Sequence, residues 1–261
     1  RFHLGLTFHH AILDGWSVAL LICELLSTYE KLLFEDNYNF QENKSEYKNF
    51  IDFERTVIQS KEQKKYWRDK LQNANLCQLP KWPFCSDAIN TKQPGYKSIC
   101  VSVDDGLSVG FQRISEQSRI PLDCLLLAVH INILGLLTNR KDIITGVVSN
   151  GRLEEEGGDE VLGLFLNTLP FRQVIPGGTW EVLAKDVFQN KQEMYPYRRY
   201  PLAEMQKQFN HHFLFDTLFN FTNYHIYKKL RQNCKLQITD QSVLEKTNFA
   251  FAVNCGVDIY G

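Results

Sequence analysis

Between Pro121 and Thr138 the chain reads PLDCLLLAVHINILGLLT, apolar on almost every helical face. A helix of that kind has to be buried, so whatever this chain folds into must provide two covered sides for it. DIITGVVS follows at once, short, β-branched and bounded by charge, the pattern of a strand. Helix-then-strand units recur elsewhere. Phe2, Leu4, Leu6 and Phe8 alternate with Arg1, His3, Gly5 and Thr7, the period of a half-buried strand. After the turn HHAILDG, the run WSVALLICELLSTYEKLL carries apolar residues at helical spacing, with Asp14 and Ser17 placed to cap its start. Residues 47–73 predict one long helix, and SICVSV (98–103) a strand. GLSVGFQRISEQSR predicts a helix, GRLEEEGGDE a solvated loop, and VLGLFLNTLPFR a strand-like run. TWEVLAKDVFQNKQEM is an amphipathic helix; LFDTLFNFTNY and NFAFAVNCGVDIY alternate like strands. The alternation of the two element types makes this an α/β protein. Pro80, Pro83, Pro94 and Gly95 mark residues 76–97 as a linker between residues 1–75 and 98–261.

With 261 residues the chain can bury a sizeable core as one domain or two lobes. Its net charge of −1 gives no basic footprint for nucleic acid. No run approaches a membrane span, and RFHLGLTFHH lacks the shape of a signal peptide. That opening has no methionine and reads as mid-strand sequence, so the chain is expected to begin inside a larger protein. Seven scattered cysteines, without CxxC or zinc-type Cys/His spacing, point to core thiols in a reducing compartment. A cytoplasmic enzyme or enzyme segment is the expectation, with no bound metal.

The chemistry concentrates in HHAILDG. Two histidines, His9 and His10, end a strand where the chain turns into a helix, a place where rigid elements present reactive groups. An imidazole titrates near neutral pH and can take a proton from an amine or hydroxyl. Gly15 allows close backbone approach at a helix N-terminus, where negative charge is favoured. Asp14 could accept from backbone N–H groups or pair with an arginine. The same residues would also serve as ordinary turn and cap residues, and the pair alone does not decide between the readings.

The full string HHAILDGWS resembles the HHxxxDG(W/F)S signature of the condensation-domain superfamily of nonribosomal peptide synthetases, which includes chloramphenicol acetyltransferase-like acyltransferases. YKNFIDFE (47–54), YWRDKL (66–71), ITGVVSNGR (144–152), GLFLNTLPFR (163–172), Tyr200-Pro201-Leu202 and LFDTLFNF are similar to further family segments in the family's order. The resemblance implies two chloramphenicol acetyltransferase-like lobes in a V-shaped pseudo-dimer. Residues 1–75 would then hold only the later part of the first lobe, and 98–261 an incomplete second lobe. It implies that His10 is tied to catalysis as base or positioning group and that His9 supports it. Asp14 would face an arginine, and Gly15 would line the tunnel. Trp16, Ser17, Asn167 and Thr168 are the expected substrate-side residues.

No cofactor is expected to bind tightly, since the 4'-phosphopantetheine arms belong to partner carrier domains. An adenylation domain is expected in the same parent chain. Two rivals stay open: an acyltransferase forming an ester from a coenzyme A or carrier-bound donor, and a catalytically silent recruiting module. A second HHxxxD string, His211, His212 and Asp216, has Thr217 where glycine is needed and continues as strand. It reads as coincidence, and His130, inside the apolar helix, as a core histidine. The retained histidine pair argues against cyclising relatives, and VVSNGRLEEE against epimerising ones. Alone, the chain is expected to be inactive or unstable, because a half-built lobe leaves edges and core uncovered.

Overall fold

A four-stranded sheet in the order β2-β1-β3-β4 carries the core. β1 (Asp142–Asn150) lies at its centre and pairs antiparallel with β2 (Leu166–Val174) over their full length, Asp142 facing Val174 and Asn150 facing Leu166. On its other edge β1 runs parallel to β3 (Thr217–Thr222), which runs parallel to β4 (Phe251–Gly256). This is a computed structural model, and it describes residues 3–34, 45–74, 79–80, 97–209, 214–222 and 249–257.

β1 is buried from Ile143 to Val147, as a strand between two neighbours and beneath a helix should be. Gly146 is required there: a Cβ would stand 2.3 Å from the ring of Phe215. α5 (Leu122–Thr138) covers this region, with Cys124, Leu127, Ala128, Ile131 and Leu134 buried. Its other face is open, with Leu136 three-quarters exposed, so the all-round apolar run is only half used within the chain. α6 (Trp180–Met194) packs beside α5 and contributes Leu183, Val187 and Met194 to the same core. Thr179 caps α6 by accepting from Val182 N.

The single helix expected over 47–73 is two, α2 (Tyr47–Gln59) and α3 (Lys61–Leu71). Ser60 makes the break: its backbone is extended, and its hydroxyl accepts from Gln63 N to start the second helix. The break turns Trp67 inward, fully buried, with its indole N–H donated to Tyr197 O. A one-turn 3-10 segment at Tyr195–Tyr197 and α7 (Leu202–Phe209) were not foreseen; α7 is short and buries Met205 alone among its residues.

Among the described residues, two expected strands are not formed. Residues 3–8 and 98–103 have no ladder partner among the described residues, and Leu4, Leu6, Ile99 and Val101 stand exposed. Alternation shows that a segment has two faces; it does not supply the neighbouring strand that makes it a ladder. The strand-like run expected from Val161 becomes β2 only at Leu166, because residues 163–165 are engaged elsewhere. α4 (Asp105–Ser118), capped by Asp104, and α1 (Gly15–Phe34) match their expected places within a residue or two. Apart from Leu79, Pro80 and Lys97, the proposed linker lies outside the described residues, as do His211 and His212.

Candidate active site

The site begins at the turn that leads into α1. Ile12 N donates to His9 O at 3.0 Å, and Ala11 N donates to His9 Nδ1 at 3.0 Å. The His9 ring is therefore used to close its own turn, with Nδ1 as acceptor. His10 is exposed at the head of the turn, and its ring lies edge-on to Phe8, centroids 5.6 Å apart.

Asp14 fixes everything behind the histidines. It is completely buried and is the N-cap of α1: Oδ1 accepts from Ser17 N at 2.8 Å, and its carbonyl accepts from Val18 N. Oδ2 accepts from Phe165 N at 2.9 Å, and Asp14 N donates to Gly163 O, so the turn is stitched to a segment some 150 residues away. Arg152 Nη2 stands 3.5 Å from Asp14 Oδ1, both side chains nearly without solvent contact. Burial pulls the Arg152 guanidinium down from its ordinary value, and the neighbouring Asp14 carboxylate pulls it back up.

Ser17, expected beside substrate, is instead wholly buried and acts as a hub. Its hydroxyl donates to Gly163 O at 2.7 Å and accepts from Gly163 N and Arg152 Nη2 at 3.0 and 2.8 Å. An alanine here would leave three polar groups short of a partner. Gly163 has no room for a side chain, since a Cβ would lie 2.3 Å from the Tyr47 ring. Tyr47 donates its hydroxyl to Leu164 O, and Trp16 donates its indole N–H to Asp159 O. Gly15 opens α1 directly after Asp14 and is half-buried.

Asn167 and Thr168 stand on β2, paired with Ser149 and Val148. The Asn167 amide is spent on structure: Nδ2 donates to Arg198 O and Tyr200 O, and Oδ1 accepts from Leu202 N. It ties β2 to the turn before α7 and is not turned towards His10's surroundings by any contact here. The acidic loop, expected to be simply solvated, is anchored through Glu154. Its carboxylate is shared by the buried Arg198 and Arg199, and these guanidiniums also hold the carbonyls of Asn150, Gly151 and Arg152. Those ion pairs hold the Glu154 carboxyl below its usual range against the opposing effect of burial. Sequence reasoning missed Arg152, Gly163 and Tyr47 as individual residues; each falls inside a segment that carries the family resemblance.

The described residues contain no cluster of His, Cys, Asp or Glu able to hold a metal ion. No single helix among them is long and apolar enough to cross a membrane. His130, as expected, is a core residue, bonded to Thr145 in the interior.

A model of the condensation-domain family matches residues 1–258. AMB antimetabolite synthetase AmbE of Pseudomonas aeruginosa is 34% identical over 232 residues, covering 86% of this chain and 10% of that protein. Gramicidin S synthase 2 of Brevibacillus brevis is 28% identical over 95% of this chain and 6% of its own length. The chain thus spans a small fraction of the curated relatives it matches. Among solved structures, the first condensation domain of the CDA synthetase superposes with a TM-score of 0.68 at 16% identity, over 83% of this chain and 48% of that one.

Proposed function

The chain belongs to the condensation-domain family, and from that premise we propose that it forms an amide bond between two carrier-bound substrates at His10. The observation that carries the proposal is the buried Asp14–Arg152–Ser17–Gly163 frame, which pins the turn so that His10 stands at its exposed head. A turn held by so many buried bonds presents one geometry, and a fixed geometry is what proton transfer at a reacting centre needs.

The acceptor's amine attacks the donor's thioester carbonyl, giving a tetrahedral intermediate. His10 takes the amine proton, or orients the amine as it is lost, and collapse of the intermediate expels the thiolate, which is reprotonated. His9, its Nδ1 closing the turn, keeps the pair in register. The positive end of α1 at Gly15 favours negative charge developing nearby. Trp16 and Ser17 act through the frame and not by touching substrate; Thr168 on β2 is the remaining candidate for a substrate contact. The two phosphopantetheine arms come with the donor and acceptor carrier domains, and an adenylation domain loads the acceptor.

The test uses the chain in its native protein context, with loaded donor and acceptor carriers and intact-mass detection of the acceptor. The acceptor is expected to gain the donor acyl mass when it carries an amine. A hydroxyl-bearing acceptor or a coenzyme A donor giving the only product would move the assignment to ester formation. No product with any loaded pair, while carriers still bind, would mark a recruiting module.

A further inference from the structure

Beside residues 164–167 lies a cavity of about 150 Å³. Its walls are three aromatic rings, Tyr47 and Phe50 from α2 and Phe165 before β2. The rings are packed on one another with centroids 5.0 to 5.7 Å apart. Asn167, Arg199 and Glu54 supply the polar lining. Two of these three are already committed. Both ends of the Asn167 amide are bonded to backbone, and Arg199 spends Nε and Nη2 on Gly151 O, Arg152 O and the Glu154 carboxylate that it shares with Arg198. The Tyr47 hydroxyl is given to Leu164 O.

Glu54 is different. It is half-buried on the inner side of α2, and among the described residues no hydrogen bond or ion pair engages its carboxylate. Loss of water alone pushes its carboxyl above the usual range. A carboxylate that no cation bonds, set in a pocket with aromatic walls, has the complement of a small organic cation: charge for the carboxylate and an apolar stem for the rings. The volume suits a molecule of about six heavy atoms.

We propose that this cavity is a binding site for a small primary alkylammonium compound, held by Glu54 and the Tyr47, Phe50 and Phe165 rings. The proposal stands on the cavity and not on the condensation reading, and binding can be measured without turnover. Because Phe165 N and Gly163 O are bonded to Asp14, an occupant would press against the same segment that fixes the histidine turn.

The experiment titrates the full chain with n-butylammonium chloride at constant ionic strength and follows the ring resonances of Tyr47, Phe50 and Phe165. n-Butanol, equal in size and uncharged, is titrated in parallel. The expected result is a saturable shift with n-butylammonium only, weakened by at least about tenfold in Glu54→Gln and unchanged in Glu116→Gln, an exposed glutamate on α4. Equal response to n-butanol, no saturable response in the wild-type chain, or n-butylammonium binding that survives Glu54→Gln in a folded variant would each overturn the proposal. The comparison of the two ligands on the wild-type chain decides even if the variant fails to fold.

Discussion

At the scale of single residues, Asp14 has nowhere else to put its charge. Its carboxylate is out of solvent, and every contact it makes is to Ser17 N, Phe165 N or Arg152. Arg152 is equally enclosed, donating also to Gly158 O and Val161 O and lying 4.1 Å over the Phe165 ring. Breaking one half of a buried pair strands the other charge, which costs about 3–5 kcal/mol. Asp14→Ala is therefore expected to lower unfolding stability by that amount in urea titrations, with Arg152→Met on its own also destabilising. The double variant should lose clearly less than the two single losses added together, because no charge is then left alone. Strict additivity would show that the two side chains do not sense one another. His10, which carries the reactive role in the proposed reaction, is exposed by contrast, and the frame ends beneath it.

Between elements, the most informative contact is the polar crossing inside the sheet's cover. His130 of α5 meets Thr145 of β1 at 3.1 Å, and Thr145 and Thr217 of β3 bond one another at 2.8 Å between their hydroxyls. Burial pushes the His130 ring down to about 4 from its ordinary value near 6.5. A histidine whose folded pKa lies below its unfolded one is protonated first in the unfolded chain, so stability is whole above pH 6.5 and is lost as pH falls towards 4. The loss attributable to this ring reaches about 3 kcal/mol, and His130→Phe should remove that part of the pH dependence of the urea midpoint. An unchanged slope in the variant would refute the assignment. The elements themselves were legible where periodicity and packing agree: α5, β1, α6 and β3 fall where the sequence puts them. They were not legible where the outcome depends on a partner. Residues 3–8 and 98–103 alternate as strands do and yet form no ladder among the described residues, and Ser60 breaks 47–73 into two helices, the second of which buries Trp67. Local pattern carries no information about either.

For the whole molecule, the same division holds. The candidate site stands out in the sequence as a string, HHAILDG, while the part that holds that turn lies about 150 residues away, and only the fold brings Arg152 and Gly163 to Ser17. Ser17 and Asn167 were expected at substrate and are consumed by structure, since hydroxyl and amide groups look alike in a sequence whether they face a ligand or a backbone. Large apolar side chains stay exposed on α1 (Leu25, Leu32, Leu33), on residues 4–8 and on residues 99–103. Surfaces of this composition call for cover by further protein, in keeping with a chain that matches only 3–19% of the curated synthetases' length. In the proposed reaction the buried frame presents His10 to the forming amide bond. The direct measurement is the single-turnover rate of acyl transfer between saturating loaded carriers, in the native protein context, for wild type and His10→Ala. A fall of about a hundredfold or more is expected with the melting temperature unchanged, as for loss of a proton-transferring side chain from an exposed position. A His10→Ala rate within a factor of about two of wild type, in a folded protein, would contradict it.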